Sequence, residues 1–553
     1  MNMKSKYFII FIFCFLTFVF TVKVSISQNP EIQWQQCYGG SELDKAYDII
    51  QTPNGFFIIG ETNSSDYDVS YNHGMSDVWL IRTDINGSLQ WEKTYGGSSG
   101  DGGMNIVPAF YNKFYLISTS VSSDGDISNN PYPGLSNIWV VKVDSAGQII
   151  WDKILGGSSI DETRNAIATH DGGVITIGLT GSEDGDISIY YGFWDIWIVK
   201  VNSNGEKEWD FTLGGTGMEE AGTIIQASDG GYIVAASTDG EGGGNFNCEH
   251  HGTPGLYADA WLIKLDSLRN IEWQRCYGGT YHDFGDNVLE ILNGYILLGA
   301  TESIDGDVSG YHGIPGDPLG MDIWVVRLDT IGNILWQKCL GGSKGEYARN
   351  IFQTEDGGFM IFGMTKSDNG DVIGFHGLAG NNYDIWIVKL SNLGELEWQK
   401  CLGGEGEEEI YHGVVKKDDY DYVIAGSSDY PSGDVVCNLH GWDDYWIFEI
   451  NDSTSGIGIS YPDKAEINVY PNPANDYVVF EIPPSISPNE GKNVILINDV
   501  FGQVVATLSI KNQNSKIENQ KFVWDTREVK PGVYFFRYEM NGVWSTGKII
   551  ISK

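Results

Sequence analysis

Asp195-Ile196-Trp197-Ile198-Val199-Lys200 is one copy of a phrase that recurs along this chain: an acid, a variable residue, a tryptophan, two hydrophobic residues and a basic residue. Asn137 replaces the acid in the second copy, and the last copy is a variant. The copies stand about 58 to 64 residues apart, which is the spacing of a repeat architecture. The tryptophans of the phrase are Trp79, Trp139, Trp197, Trp261, Trp324, Trp386 and Trp446.

A second phrase, Trp-x-x-x-(Tyr or Leu)-Gly-Gly, also occurs seven times, beginning at Trp34, Trp91, Trp151, Trp209, Trp273, Trp336 and Trp398. In the six complete pairs it follows the first phrase by 12 residues, across a turn such as Asp84-Ile85-Asn86-Gly87. A fixed offset across a glycine-bearing turn predicts a β-hairpin. Two more apolar segments precede each hairpin, for example 350–353 and 357–363, so each repeat predicts four strands.

The two ends of the repeat region complement each other. Trp34 has no first phrase before it, and Trp446 has no second phrase after it. The strand around Ile32 to Cys37 is therefore expected to be the outermost strand of the last blade, closing a ring without a covalent bond. The predicted fold class is all-β, a seven-bladed β-propeller over residues 28–451. An open β-solenoid is the competing architecture.

Residues 1–27 have the pattern of a signal peptide. Lys4 and Lys6 precede an apolar run from Tyr7 to Val22, and small residues follow it before Gln28. Cleavage there predicts export and leaves no integral membrane segment; an uncleaved anchor is the alternative. Cys14 lacks the small residues that normally precede a lipidated cysteine, so a lipoprotein is not expected.

The chain carries a formal net charge of −40, with 74 acidic and 34 basic residues. A protein this acidic repels phosphate backbones and anionic lipid surfaces, which excludes nucleic acid as a partner. The same charge would keep the protein soluble or gather cations such as calcium. We therefore expect no cofactor, with calcium as the one candidate.

Four of the six cysteines beyond Cys14 occupy one position of the repeat, three residues after a tryptophan: Cys37, Cys276, Cys339 and Cys401. Equivalent positions in different blades lie too far apart for a disulfide, which needs Cα atoms within about 7 Å. These four are therefore predicted to be buried thiols. Because an exported protein meets an oxidising environment, oxidation of some of them stays open.

The C-terminal region follows a different pattern. A short polar linker, residues 452–464, precedes the segment Asn468-Val469-Tyr470-Pro471-Asn472-Pro473-Ala474, the turn Phe501-Gly502-Gln503, and the closing strands near 531–537 and 547–551. This pattern predicts a small immunoglobulin-like β-sandwich over residues 465–553.

The order of these phrases resembles the type A C-terminal sorting domain of the type IX secretion system of Bacteroidetes. The resemblance implies Sec export to the periplasm, transfer across the outer membrane by the type IX machinery, and then release or attachment to the cell surface. The propeller repeats are similar to arrays in exported proteins of the same bacteria, for which no activity is implied.

Every repeat carries an acid four residues after the second glycine of its Gly-Gly pair. On the top face of a propeller such acids would form a ring able to bind a cation, a cationic group or a sugar. Alternatively, they would accept backbone N–H bonds in the turn and fix the start of each blade. The seven candidate ligand-binding residues are Asp44, Asp101, Asp161, Glu219, Asp283, Glu346 and Glu408.

The loops between the second and third strands carry Asp-Gly-Asp fragments, which give six candidate metal ligands: Asp124, Asp126, Asp184, Asp186, Asp305 and Asp307. They lack the longer acidic series that surrounds calcium, so turn formation is the alternative use. A His-Gly pair follows in five loops, and Cys248 and Cys437 each precede such a histidine by three residues. Cys-x-x-His is half a zinc site, but the two halves lie in blades four and seven, which are not adjacent.

The sequence contains no G-x-S-x-G, HExxH, Walker or dinucleotide-binding motif, so no catalytic residue is predicted. Symmetric blades with divergent loops favour a non-catalytic exported binding protein that contacts a polysaccharide or a protein outside the cell. Two alternatives stay open: a polysaccharide lyase or glycoside hydrolase that uses top-face acids, and a surface or adhesion spacer.

Overall fold

The computed structural model describes residues 30–452, except 318, 378, 379 and 419, and parts of the segment 468–551. The predicted signal peptide and nearly all of the predicted linker lie outside the described residues. The chain divides into two compact units between Ser455 and Gly456. Every regular element in the described part of the chain is a β-strand, and this part contains no helix that could span a bilayer.

The first unit consists of seven antiparallel repeats, numbered here in chain order, which build five four-stranded sheets and one eight-stranded sheet. Repeat 1 contains β2 (Asp44–Thr52), β3 (Gly55–Thr62), β4 (Asp77–Thr83) and β5 (Leu89–Tyr95). Repeat 2 contains β6 (Asp101–Ala109), β7 (Lys113–Ser120), β8 (Asn137–Val143) and β9 (Ile149–Leu155). Repeat 3 contains β10 (Asp161–Ala168), β11 (Val174–Thr180), β12 (Asp195–Val201) and β13 (Lys207–Leu213).

Repeats 4 to 7 follow the same plan. Repeat 4 contains β14 (Glu219–Gln226), β15 (Tyr232–Thr238), β16 (Asp259–Leu265) and β17 (Ile271–Tyr277). Repeat 5 contains β18 (Asp283–Ile291), β19 (Gly294–Thr301), β20 (Asp322–Leu328) and β21 (Ile334–Leu340). Repeat 6 contains β22 (Glu346–Gln353), β23 (Phe359–Thr365), β24 (Asp384–Leu390) and β25 (Leu396–Leu402). Repeat 7 contains β26 (Glu408–Lys416), β27 (Asp421–Ser428), β28 (Asp444–Asn451) and, from the other end, β1 (Glu31–Tyr38).

The first strands of the seven repeats contact one another in a closed order, from β2 through β6, β10, β14, β18 and β22 to β26 and back to β2. Repeats 1 and 7 are joined into the eight-stranded sheet by a single parallel pairing, between Asp48 and His412. The N-terminal strand β1 pairs antiparallel with β28 from Glu31 with Asn451 to Tyr38 with Tyr445, with one register shift between Ile32 and Trp34. The two ends of the repeat region therefore share one sheet.

The repeated tryptophans form the core. All seven tryptophans of the first phrase are fully buried. The indole N–H of Trp79 donates to Glu92, 13 residues later, and this bond is repeated in the five following repeats. In repeat 7 the indole of Trp446 donates instead to Gln35, at 3.0 Å. The N-terminal strand thus provides the acceptor that a downstream strand provides elsewhere.

Two disulfides correct the predictions for the cysteines. Cys37 is bonded to Cys437 and Cys276 to Cys248, whereas Cys339 and Cys401 are buried free thiols. The prediction considered only pairs between equivalent positions of different repeats. The actual partners, Cys437 and Cys248, each lie in a loop of the same repeat as the cysteine they bond. The closure of the last repeat is therefore covalent, and the expectation of a closure without a covalent bond was wrong.

The second unit forms a three-stranded sheet, β29-β30-β33, and a four-stranded sheet, β32-β31-β34-β35. The strands are β29 (Asn468–Tyr470), β30 (Tyr477–Ile482), β31 (Val494–Asp499), β32 (Val504–Ser509), β33 (Gln520–Asp525), β34 (Gly532–Met540) and β35 (Val543–Ile551). Its core includes Phe480, Trp524 and Phe536.

Candidate functional site

The seven repeated acids begin the first strands of the repeats and are fully buried. Each carboxylate accepts a hydrogen bond of 2.6–3.0 Å from the N–H of the second glycine of its Gly-Gly pair. Serine or threonine hydroxyls add further bonds, such as Ser64 to Asp44 at 2.9 Å. Burial raises the pKa of Asp44 to about 6 and that of Glu346 to about 7. Each of these acids is therefore engaged by its own turn.

The six candidate metal ligands in the Asp-Gly-Asp loops also contact those turns. The first aspartates, Asp124, Asp184 and Asp305, accept N–H bonds of 2.7–2.8 Å from the residue after the Gly-Gly pair. The second aspartates, Asp126, Asp186 and Asp307, accept weaker bonds of 3.2–3.4 Å from the first glycine. No group of three or more acidic, histidine or cysteine side chains suited to a metal ion occurs among the described residues.

The repeated histidines connect neighbouring repeats. Nδ1 of His73, His251, His312 and His376 lies 2.6–2.8 Å from the aspartate that begins the third strand. Nε2 lies 3.5–3.7 Å from the second aspartate of the next Asp-Gly-Asp or equivalent loop. The bond to the third-strand aspartate raises the pKa of three of them, His251, His312 and His376. Cys248 and Cys437 are held in disulfides, so neither provides a free thiolate to a metal ion.

One set of side chains that the motifs did not predict lies where the repeats differ from one another. In repeat 1 the second and fourth positions of the first strand are partly exposed, on either side of the fully buried Ala46. The second positions are occupied by Lys45, Gly102, Glu162, Glu220, Phe284, Tyr347 and Glu409. The fourth positions are occupied by Tyr47, Met104, Arg164, Gly222, Asp286, Arg349 and Tyr411. Aligning the seven repeats and asking where they disagree would have found them.

Five of these side chains form what we call the central cluster: Lys45, Tyr47, Arg349, Glu409 and Tyr411. Lys45 Nζ lies 2.5 Å from Glu409 Oε2. The rings of Tyr47 and Tyr411 lie 4.6 Å apart, and the guanidinium of Arg349 lies 5.3 Å from the centre of the Tyr411 ring. The cluster thus joins repeats 6, 7 and 1, whereas repeats 2 and 4 carry glycine, Gly102 and Gly222, at one of the two positions.

The electrostatics show that these strands converge on one centre. Burial raises the pKa of Asp286 to about 6, although Arg349 and Arg164 favour its charged form. Burial lowers the pKa of His412 to about 4, and the same two arginines lower it further. Arg164 comes from repeat 3 and Arg349 from repeat 6, so side chains from distant repeats act on the same groups. Nε of Arg349 is buried without a hydrogen-bond partner in the described part of the chain.

Exposed aromatic side chains lie in or against the loop between β27 and β28, which also contacts the central cluster. Trp442 and Tyr430 are 77% and 53% exposed, and both belong to the loop between β27 and β28. Asp443, next to Trp442, lies 3.8 Å from Nζ of Lys45. Tyr67, which is 69% exposed, stacks on His440 of the same loop. The contact of Asp443 with Lys45 therefore places the loop between β27 and β28 beside the central cluster.

Comparison with known proteins identifies the C-terminal unit. Residues 468–552 match the model of the secretion system C-terminal sorting domain family. This match indicates export through the type IX secretion system, to the cell surface or into the medium, and interaction with its machinery.

A curated protein is similar to part of this chain. The regulatory protein FlaEY of Caulobacter vibrioides is 23% identical over 195 residues, which are 34% of this chain and 20% of that protein. The chain thus spans about a fifth of the curated relative that it matches.

Three solved structures illustrate the structural similarities. A mutant of the Synechocystis apocarotenoid oxygenase has a TM-score of 0.33 at 11% identity, covering 65% of this chain and 71% of that chain. A DUF4221 family member from Bacteroides vulgatus has a TM-score of 0.30 at 9% identity, covering 76% of this chain and 97% of that chain. A mutant of the GH43 protein BlXynB from Bacillus licheniformis has a TM-score of 0.27 at 10% identity, covering 81% of this chain and 82% of that chain. At these scores none of them carries an argument about function.

Proposed function

We propose that this protein is a non-catalytic binding protein whose first unit, residues 28–451, is a seven-bladed β-propeller that binds a polysaccharide outside the cell. Residues 1–27 direct Sec export to the periplasm. Residues 465–553, an immunoglobulin-like sandwich, direct the type IX step that follows. The ligand contacts the central cluster and the exposed rings of Tyr67, Tyr430 and Trp442.

The observation that carries this proposal is the broken symmetry of the central cluster. The seven repeated acids are occupied in their own turns, at seven equivalent places. Residues that serve only the fold are expected to recur in every repeat, whereas a binding site usually needs one particular combination. Lys45, Tyr47, Arg349, Glu409 and Tyr411 form such a combination.

The chemistry of the surface favours a sugar. Exposed aromatic rings offer flat apolar faces for the C–H faces of a pyranose. Lys45, Glu409 and Glu61 supply donors and acceptors within the central cluster, where Glu61 accepts a bond of 3.0 Å from Tyr47. A site of aromatic faces with a few directed polar groups is typical of small-ligand recognition.

A second candidate function is hydrolysis or elimination within a polysaccharide. Asp286 favours it, because a carboxyl group with a pKa of about 6 is suited to donate a proton near neutral pH. A protein ligand and a spacer role are the remaining candidates. Calcium, if it binds, would act through the Asp-Gly-Asp loops, and a fall in the melting temperature after chelation would show it.

The test uses the purified exported protein on arrays of polysaccharides and proteins. The test variant carries Arg349→Ala and Tyr411→Ala. Its matched control carries Met104→Ala, at the fourth position of repeat 2. We expect glycan binding that the test variant loses and the control retains. Turnover of a bound glycan that disappears in Asp286→Asn would favour the enzyme instead, and absence of any ligand would favour the spacer.

A further inference from the structure

Two of the repeated histidines each contact two aspartates, one in their own repeat and one in the next. Nδ1 lies 2.6–2.7 Å from the aspartate that begins the third strand of the same repeat. Nε2 lies 3.6–3.7 Å from an aspartate in the loop between the second and third strands of the next repeat. These two histidines therefore join repeat 5 to repeat 6 and repeat 6 to repeat 7. The contacts are those of His312 with Asp322 and Asp371, and of His376 with Asp384 and Asp434.

The two ring nitrogens of a histidine can both donate a hydrogen bond only when the ring is protonated. A neutral imidazole carries one N–H and one lone pair. The short contact with a buried carboxylate holds the N–H of the neutral ring on Nδ1, so the lone pair of Nε2 then faces the second carboxylate. Protonation places an N–H on Nε2 as well and gives the ring a positive charge. The attraction to the next repeat therefore exists only in the protonated histidine.

We infer that His312 and His376 are pH-dependent links between the loops of repeats 5, 6 and 7, closed when the imidazole is protonated and open when it is neutral. The last of these loops lies between β27 and β28 and carries Tyr430 and Trp442. The links therefore act on the loop to which we assign ligand contacts. They do not themselves depend on the proposed function.

Repeats 2 and 3 show that the loop folds without the imidazole. In repeats 5 and 6 the backbone N–H of the histidine also donates to the third-strand aspartate, at 3.0–3.1 Å. In repeat 3 the N–H of Tyr191 makes the same bond to Asp195, at 2.7 Å. In repeat 2 the third strand begins with Asn137, and the loop before it contains no histidine. The backbone bond is enough to hold the loop, so the ring adds the contact with the next repeat.

The charged groups around His312 favour its protonated form. Asp322 and Asp371 lie on the two sides of the ring, whereas Lys338, on β21, opposes protonation. Glu346, the buried acid of repeat 6, is close enough to Asp322 for the two charges to interact. The hydrogen bond to Asp322 is the largest influence, and it raises the pKa of His312 above the ordinary value of 6.5.

His376 has similar surroundings. Asp384, Asp434 and Glu408, the buried acid of repeat 7, all favour its protonated form, and the bond to Asp384 contributes most to the raised pKa. In repeats 1 and 4 the equivalent histidines contact candidate metal ligands. The links formed by His312 and His376 are free of those residues and consist of imidazole and carboxylate alone.

The direction of the pH dependence follows from these contacts. Because the pKa of each histidine is higher in the folded chain, the folded chain retains protons that the unfolded chain releases above pH 6.5. The stabilisation is fully present below the unfolded pKa and is lost as the pH rises through the folded pKa. The side chains of the ion pairs are 21–33% exposed, so water screens them and the effect on global stability is small. The links close in weakly acidic surroundings and open above neutral pH.

The test is an NMR titration of the full exported protein with 15N in its imidazole rings. In the neutral state both rings should carry their N–H on Nδ1. Asp371→Asn should lower the pKa of His312 and leave that of His376 unchanged, and Asp434→Asn should do the reverse. Asn245 occupies the position of Asp434 in repeat 4 and accepts the same backbone bond there, so an amide is compatible with the fold.

An N–H on Nε2 of the neutral rings would overturn the inference, because the contact with the next repeat would then be attractive at every pH. Unchanged pKa values in the two aspartate variants would also overturn it.

The melting temperature gives a second measurement. The double variant His312→Gln with His376→Gln should lower it by about 1 °C more at pH 6 than at pH 8.5. The control His170→Gln, in an exposed turn, should change it equally at both pH values. Equal losses at both pH values in the double variant would show that the two rings serve only as packing groups, and would refute the links.

Discussion

The disulfide between Cys37 and Cys437 should contribute more to stability than the one between Cys248 and Cys276. The first joins residues 400 apart in sequence and the second joins residues 28 apart. In the chain-entropy model, the longer loop stabilises by about 6 kcal/mol and the shorter by ~4 kcal/mol, as upper limits. The first bond also holds β1, an edge strand that pairs only with β28.

The perturbation is a pair of double variants, Cys37→Ser with Cys437→Ser, and Cys248→Ser with Cys276→Ser as the matched control. Urea denaturation followed by tryptophan fluorescence gives the free energy of unfolding of each. We expect the first variant to lose about 2 kcal/mol more than the second. Limited proteolysis should also cleave the first variant within β1. An equal or larger loss in the control would refute the reasoning from loop length and edge position.

Three further predictions concern the glycine turns, a buried lysine and the sorting domain. Gly39→Ala should destabilise the protein strongly, because the new β-carbon collides with two carboxyl groups, whereas Gly242→Ala, with open space around it, should leave the melting temperature unchanged. Lys389 is fully buried and bonded to the carbonyl of Leu390 and to an aspartate, so Lys389→Ala should lower the free energy of unfolding by about 1–3 kcal/mol. Lys344 is exposed, so Lys344→Ala should change this free energy very little, and urea denaturation measures both. A variant that lacks residues 468–552 should stay inside the cell envelope. Detection of this variant in the culture medium or on the cell surface by immunoblot would contradict the prediction.

The sequence allowed the strands to be predicted because each repeat carries its own register. The 12-residue offset between the two phrases reflects a hairpin in which the indole of Trp79 reaches Glu92. The place of β1 followed from Trp34 and Trp446, each of which lacks a partner phrase. The C-terminal sorting domain was recognisable because its phrases occur in a fixed order, and the family match agrees.

The features that could not be predicted depend on contacts between different repeats or on loop residues that do not recur from repeat to repeat. Cys437 lies in a loop, so comparison of equivalent positions did not reveal that it reaches Cys37. The central cluster was not predicted because Tyr47 and Arg349 occupy a position at which no single residue type is kept in all seven repeats. The acids that approach the same glycine, such as Asp77 and Asp101 at Gly96, come from two repeats, and only the packing of neighbouring sheets brings them together.

Glycan binding at the central cluster is the claim on which the proposed function depends. The most direct measurement is the dissociation constant of the exported protein for its best array ligand, by isothermal titration calorimetry, with and without Tyr47→Ala and Tyr411→Ala. We expect a loss of at least about tenfold in affinity, equivalent to 1.4 kcal/mol, and unchanged affinity for Met104→Ala. Unchanged affinity in the tyrosine variant, or no saturable glycan binding in the unsubstituted protein, would contradict it.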